Sequence, residues 1–189
     1  YLKGQKGKIQ ELGTALFRDD KMVGNIGMVE SQLLAILSSK AYNTALSFDD
    51  PLEPDIGITD RKYVSVEVIK SKNKVKTGID NGTVQVYMKV KMEVDIVDNE
   101  SIAPLTQAHT LKTYEKSFSK EFSKRAERLI KTLQELQVDP LGIGAYLRMQ
   151  HYDLWKEMGG DKTWHQYWET AEVHIDTQVK IRRFGIIVK

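Results

Sequence analysis

The 189-residue chain contains no cysteine. That absence removes disulfides, thiolate zinc sites and thiol nucleophiles at once, and it leaves the compartment open. Long apolar runs are missing too: none approaches the ~20 residues that a membrane-spanning helix needs. No secretory leader opens the chain, since Tyr1 to Lys8 is polar and holds Gly4 and Gly7. No Met starts it. The sequence is therefore expected to be a piece of a longer protein, with residues 1–8 as a linker from a missing upstream domain and 9–189 as a single domain. Neither sign of charge is in excess, with 28 basic and 26 acidic residues and a net charge of +2. Nucleic-acid binders normally carry a lopsided basic face, so nucleic acid is not an expected partner.

Catalytic and metal-binding patterns are absent as well. The histidines are His109, His151, His165 and His174; none forms a recognisable ligand motif with another His or a carboxylate, and no His-Glu-x-x-His is present. No Gly-x-Ser-x-Gly elbow supplies a nucleophile. Gly142-x-Gly144 lacks the third glycine and the Lys-Ser/Thr of a phosphate loop, and it follows a helical stretch. Asp49, Asp50 and Asp55 are a carboxylate cluster without the order of a calcium loop, among prolines that mark a solvated turn. No enzyme, cofactor or metal site is expected.

What is present is a clear pattern of elements. Ile9 to Gly27 reads as a hairpin around Arg18-Asp19-Asp20-Lys21, and a helix follows over 30–45. Phe48 to Asp60 reads as a break. Val64, Val66 and Val68 begin a long strand whose alternation changes parity near Ile69–Lys70, which predicts a bulge. Asp80-Asn81-Gly82 predicts a tight turn, and Val84 to Ile96 returns with every second residue apolar. A helical period runs over 105–137. At 1.5 Å per residue such a helix reaches ~50 Å, so a kink or an overhang is expected. Val173 to Arg182 alternates as a last strand, extended by Phe184 to Val188. The order gives an α+β fold: a mainly antiparallel sheet with several helices, one of them long, packed on one face.

Two segments stand apart. Lys70-Ser71-Lys72-Asn73-Lys74-Val75-Lys76 is the densest basic stretch. It has three readings, namely a guarded sheet edge, contact with anionic lipid or contact with nucleic acid, and edge protection is the default. Val138-Asp139-Pro140-Leu141-Gly142-Ile143-Gly144 is the other. Pro140 drives Asp139 out of the α region, and Asp139 suits the N-cap of a new helix with Pro140 in its first turn. Gly142 and Gly144 point to special dihedrals or close approach of another backbone. Trp155, Trp164 and Trp168 follow, with core packing the commonest role for aromatics this dense, interface next and a ligand pocket last.

Together these segments resemble the C-terminal domain of the Ger(x)C family of spore germination proteins, the C subunits of nutrient germinant receptors. The resemblance lies in Leu12 to Phe17 with Asp20 to Gly24, in the Lys-rich pair over 64–97, in Val179 to Gly185, and above all in the Asp-Pro turn with Trp155-Lys156 and Trp164 downstream. It implies a non-catalytic domain that works by protein–protein contact with membrane-embedded A and B type subunits. It also implies a peripheral place at the inner spore membrane, held by a lipid anchor in the full-length lipoprotein. Asp139, Pro140, Gly142, Gly144, Trp155 and Trp164 are the candidate structural or interaction residues. The rival expectation is a small-ligand module that holds germinant in a pocket between helices and sheet.

Overall fold

The computed structural model describes residues 2–5, 8–41, 43–52, 63–99 and 107–184. One long hairpin organises it: β6 (Tyr63–Asp80) and β7 (Thr83–Asn99). At its tip Asn81 and Gly82 take φ of 49° and 80°, the pair of positive angles that Asn-Gly accepts at little cost. Every second residue of β7 from Val84 to Ile96 is buried. On β6, Val64, Val66 and Val68 are buried, and the register then slips between Val68 and Lys70. This is the bulge that the change of parity predicts. It keeps Val75 and Ile79 on the core side and turns the lysines outward.

β5 (Thr44–Asp49) pairs antiparallel with the start of β6, and β8 (Glu172–Phe184) pairs parallel with β7. The four-stranded order is β5-β6-β7-β8. Two small hairpins come first, β1 (Leu2–Gln5) with β2 (Lys8–Glu11) and β3 (Thr14–Arg18) with β4 (Lys21–Ile26). The segment read as a linker thus carries a strand, and the hairpin expected from Ile9 to Gly27 is confined to β3 and β4. The helices are α1 (Met28–Leu37), α2 (Ala108–Glu135), α3 (Ile143–Gln150), α4 (Tyr152–Glu157) and α5 (Trp164–Thr170). The fold is α+β with a mainly antiparallel sheet, as expected; β8 is the parallel exception.

One boundary differs from the sequence reading. The helix expected over 30–45 stops at Leu37, and Thr44–Asp49 is strand. Phe48, read as the start of a break, is a fully buried strand residue whose ring lies 4.5 Å from that of Phe118. The helix end carries no glycine to mark it. Ser39 takes φ 55°, its N–H bonds Ile36 O, and Lys40 N–H bonds Ala35 O, which closes a Schellman turn on a serine. Asn73 Nδ2 then satisfies the carbonyls of Ile36 and Leu37 from across the sheet. The expected strand extension over 185–188, the helical residues 105 and 106, and Asp55 all lie outside the described residues.

α2 is one continuous helix, about 42 Å long at its 28 residues. It does not overhang, because its buried stripe runs from Thr110 to Leu133. The reason is the shape of the sheet. Arg125 on one flank of α2 donates to Ser47 O of β5 (2.8 Å). On the other flank, Ser119 Oγ accepts from Val179 N–H (3.0 Å) and Glu115 Oε1 from Ile181 N–H (3.0 Å), both on β8. In a flat sheet those outermost strands would stand about 14 Å apart. A helix reaches both only if the sheet curls around it. Tyr114, Phe118, Phe122, Ala126, Leu129 and Leu133 fill that trough, each large side chain contributing about 1.5–3 kcal/mol through burial.

Candidate functional site

The Asp-Pro turn begins where α2 ends. Gln137 takes φ 54° with its N–H on Gln134 O, and Val138 N–H reaches back to Leu133 O. This is a second Schellman turn without glycine. Pro140 and Leu141 lie in the turn that follows, and α3 starts at Ile143, not at Pro140. Asp139 nevertheless caps it from further back than expected. Its Oδ1 accepts from Ile143 N–H (2.9 Å) and its Oδ2 from Gly144 N–H (2.8 Å). Oδ2 also accepts from Trp164 Nε1–H at 3.0 Å. One carboxylate so ties the first turn of α3 to α5, with three donors converging on it.

The two glycines differ in purpose. Gly142 has φ 70°, and an added Cβ would meet nothing within 4 Å. Its requirement is backbone conformation. At Gly144 the requirement is space: a Cβ would lie 2.8 Å from Trp164 Cε2 and Nε1 and 3.1 Å from Trp155 Cη2. The close neighbours are indole rings, not the backbone that the sequence suggested.

The tryptophans form one stack. Trp155 and Trp164 centroids are 5.4 Å apart, and those of Trp164 and Trp168 are 6.2 Å apart. Trp168 is fully buried and donates Nε1–H to Val138 O at 2.7 Å. Trp155 is buried and Trp164 half-buried. Gln134 Nε2 bonds the carbonyls of Trp168 and Ala171, which fastens the end of α5 to α2. The structure therefore brings Asp139, Gly142, Gly144, Trp155 and Trp164 into one knot, with the exposed Pro140 at its rim. Trp155 and Trp168 are core and support a surface, and the half-buried Trp164 both supports that surface and lines it.

That surface is a groove of about 770 Å³ beside the knot, lined by Phe17, Arg18, Asp19, Asp161, Lys162, Trp164 and His165 together with Gln137 to Asp139. Phe17 is 57% exposed there. Arg18 Nη1 donates to Gln137 Oε1 at 2.6 Å and Gln137 Nε2 to Glu169 Oε2 at 2.6 Å, so β3 is tied to the turn. A second groove, about 780 Å³, runs between Asp49 to Pro51 and the outward flank of α2, and it is lined mainly by charged side chains. Neither penetrates between the helices and the inner face of the four-stranded sheet, because Phe118, Phe122 and their neighbours occupy that space.

Sequence reasoning missed Phe17, which its hairpin placed but did not single out, and the glutamines that bolt the knot. It also missed that Tyr114 OH donates to the buried Asp50 carboxylate at 2.9 Å from each oxygen. The acidic break is thus a core anchor at Asp50. No group of three or more His, Asp or Glu able to hold a metal occurs among the described residues.

The residues just described fall inside a match between residues 12–185 and a family model, the spore germination B3/GerAC-like C-terminal domain. The chain belongs to this family. It is 25% identical over 195 residues to spore germination protein B3 of Bacillus subtilis (strain 168), which takes in 100% of this chain and 48% of that protein. It is 24% identical to spore germination protein KC of the same organism over 124 residues, 65% of this chain and 30% of that one. A crystal structure of the GerBC protein superposes with a TM-score of 0.79 at 23% identity, covering 95% of this chain and 54% of that one. The chain spans about half the length of the B3 and GerBC proteins it matches. The family and both Bacillus subtilis relatives are named for spore germination. No helix of the described residues is long and apolar enough to cross a membrane.

Proposed function

We propose that this GerAC-like domain is a non-catalytic part of a nutrient germinant receptor and acts by protein–protein contact with membrane-embedded A and B type subunits. In this reading it works at the inner spore membrane, held there by a lipid anchor carried elsewhere in the full-length protein. Anchoring raises the effective concentration of the partners, so a modest interface suffices. The observation that carries the proposal is Phe17, a large aromatic 57% exposed on a groove that the Asp139 knot holds rigid. An exposed aromatic with charged neighbours on a preorganised support has the character of an interface anchor.

The test is capture of the A and B type subunits by the full-length protein carrying Phe17→Ala. Loss of capture, with the melting temperature unchanged, is the expected result. Full capture by a folded Phe17→Ala protein refutes this surface. Trp164 is a poorer choice for the same experiment, because its indole also holds Asp139.

The same groove supports a second reading, binding of a small germinant. Its volume suits a small ligand, and it presents both signs of charge through Arg18, Lys162, Asp19 and Asp161. Titration calorimetry against amino acids and sugars separates the two readings, since a purely protein-binding surface gives no heat.

A further inference from the structure

We propose that the outer face of the sheet formed by β6, β7 and β8 docks on an anionic phospholipid surface. This goes beyond the protein–protein reading and uses a different part of the molecule. The bulge at Ile69 sends Lys70, Lys72, Lys74 and Lys76 outward, and the register places them beside Glu93, Lys91, Lys89 and Tyr87 of β7. The next strand continues the same rungs: Tyr87 with His174, Lys89 with Asp176, Lys91 with Gln178 and Glu93 with Lys180. All seven lysines on these rungs are exposed, and only Glu93 and Asp176 oppose them. These rungs thus carry seven lysines against two carboxylates, in a chain whose net charge is only +2.

The arrangement is unfavourable without an anion. Lys72 faces Lys91 and Lys74 faces Lys89 directly across the strands, and opposed like charges destabilise a sheet. Lys89 has Asp176 at 3.1 Å. Among the described residues, Lys72, Lys74 and Lys91 have no carboxylate within ion-pair distance.

Protection of a sheet edge does not account for it. Part of the free stretch of β6 is already closed: Gln150 accepts from Thr77 N–H (2.9 Å) and donates to Val75 O (3.0 Å), and His151 Nε2 lies 2.7 Å from Thr77 O. Lys89 and Lys91 stand on β7, an inner strand with neighbours on both sides, where there is no edge to guard.

Three features select lipid over another anion. The cations on these rungs are all lysines, compact point charges suited to a mobile layer of headgroups; arginine, whose planar fork grips a single phosphate, is absent from them. The charges are spread along two strands and do not converge on one point. Tyr87, 54% exposed and stacked on His174 at 4.9 Å, closes the row with the kind of amphipathic ring that settles at headgroup level.

The experiment is sedimentation of the 189-residue chain with vesicles. One set is phosphatidylcholine alone, and the other contains about one-third phosphatidylglycerol, at on the order of 0.1 M salt. Binding to the anionic vesicles alone is expected. Replacing Lys72, Lys74, Lys89 and Lys91 together by Gln should weaken it by roughly several hundredfold, at roughly fivefold per lysine. The same variant should melt no lower than wild type, because the opposed charges are gone. Replacing Lys112, Lys116, Lys120 and Lys124 of α2 by Gln removes equal charge elsewhere and should weaken binding far less. Wild-type protein that ignores anionic vesicles overturns the proposal, as do equal losses from the two quadruple variants. Tighter binding to a short DNA duplex than to the vesicles would replace lipid by nucleic acid and overturn it too.

Discussion

Gly144→Ala is the sharpest perturbation of the Asp139 knot. Gly144 is the second residue of α3, and its φ lies outside the left-handed region. In a helix such a change normally stabilises by about 0.5–1 kcal/mol. Here the new methyl meets Trp164 Cε2 and Nε1 at 2.8 Å and Trp155 Cη2 at 3.1 Å. A rigid indole must move, and Trp164 cannot move without lengthening its 3.0 Å bond to Asp139. Overpacking costs about 1–3 kcal/mol, and a weakened bond to a charged acceptor adds up to about 1.5–3 kcal/mol. The net expectation is a loss of about 2–4 kcal/mol, or about 5–15 °C in Tm for a domain of this size. Urea unfolding of Gly144→Ala in wild type and in a Trp164→Leu background isolates the cause. With the indole gone, the alanine should cost nothing or stabilise, a coupling of at least about 2 kcal/mol. Gly142→Ala is the contrast. Its Cβ meets nothing, so it should cost only the left-handed penalty of about 1–2 kcal/mol in either background. Equal penalties for Gly144→Ala in both backgrounds, or a melt at or above wild type, refute the steric argument.

Two further substitutions probe the buried polar groups. Asp139→Asn keeps one acceptor oxygen where three donors converge and turns an amide toward an N–H; it should destabilise by about 2–3 kcal/mol in chemical denaturation, with Trp fluorescence reporting the loosened ring. Tyr114→Phe leaves the helix packing in place but removes the hydroxyl from the buried Asp50 carboxylate; a loss of about 1–3 kcal/mol is expected, and a change below about 0.5 kcal/mol would show that Asp50 does not depend on it.

The sheet was legible because period-two alternation is a direct image of one dry and one wet face. The alternation gave β7, the Asn-Gly turn and even the bulge at Ile69, since a slipped register must be paid back on the next residue. Helix ends were less legible. α1 and α2 both close on Schellman turns with Ser39 and Gln137 in the left-handed conformation, where sequence offers no glycine to read. The α1 reading therefore ran on into β5, although Leu46 and Phe48 alternate as an inward strand face. Within the knot, Asp139 as a cap and the glycines as special positions came from local chemistry. Their partners did not, because Trp164 lies 25 residues and Trp168 30 residues beyond the turn atoms they bond. The family resemblance drew those positions together before any distance was known.

The parallel strand β8 fixes the order of assembly. Glu172 stands beside Gln85 from 87 positions further along the chain, whereas β6 and β7 close through a two-residue tip. A polypeptide leaving the ribosome therefore owns its central hairpin early and its last strand only after every helix has been synthesised. Until then Glu115, Ser119 and Ser123 of α2 have no main chain to hold, and the trough stands open along one side. Closing so long a loop is entropically dear and slow, so final consolidation of this molecule is a late event gated by its C-terminal segment.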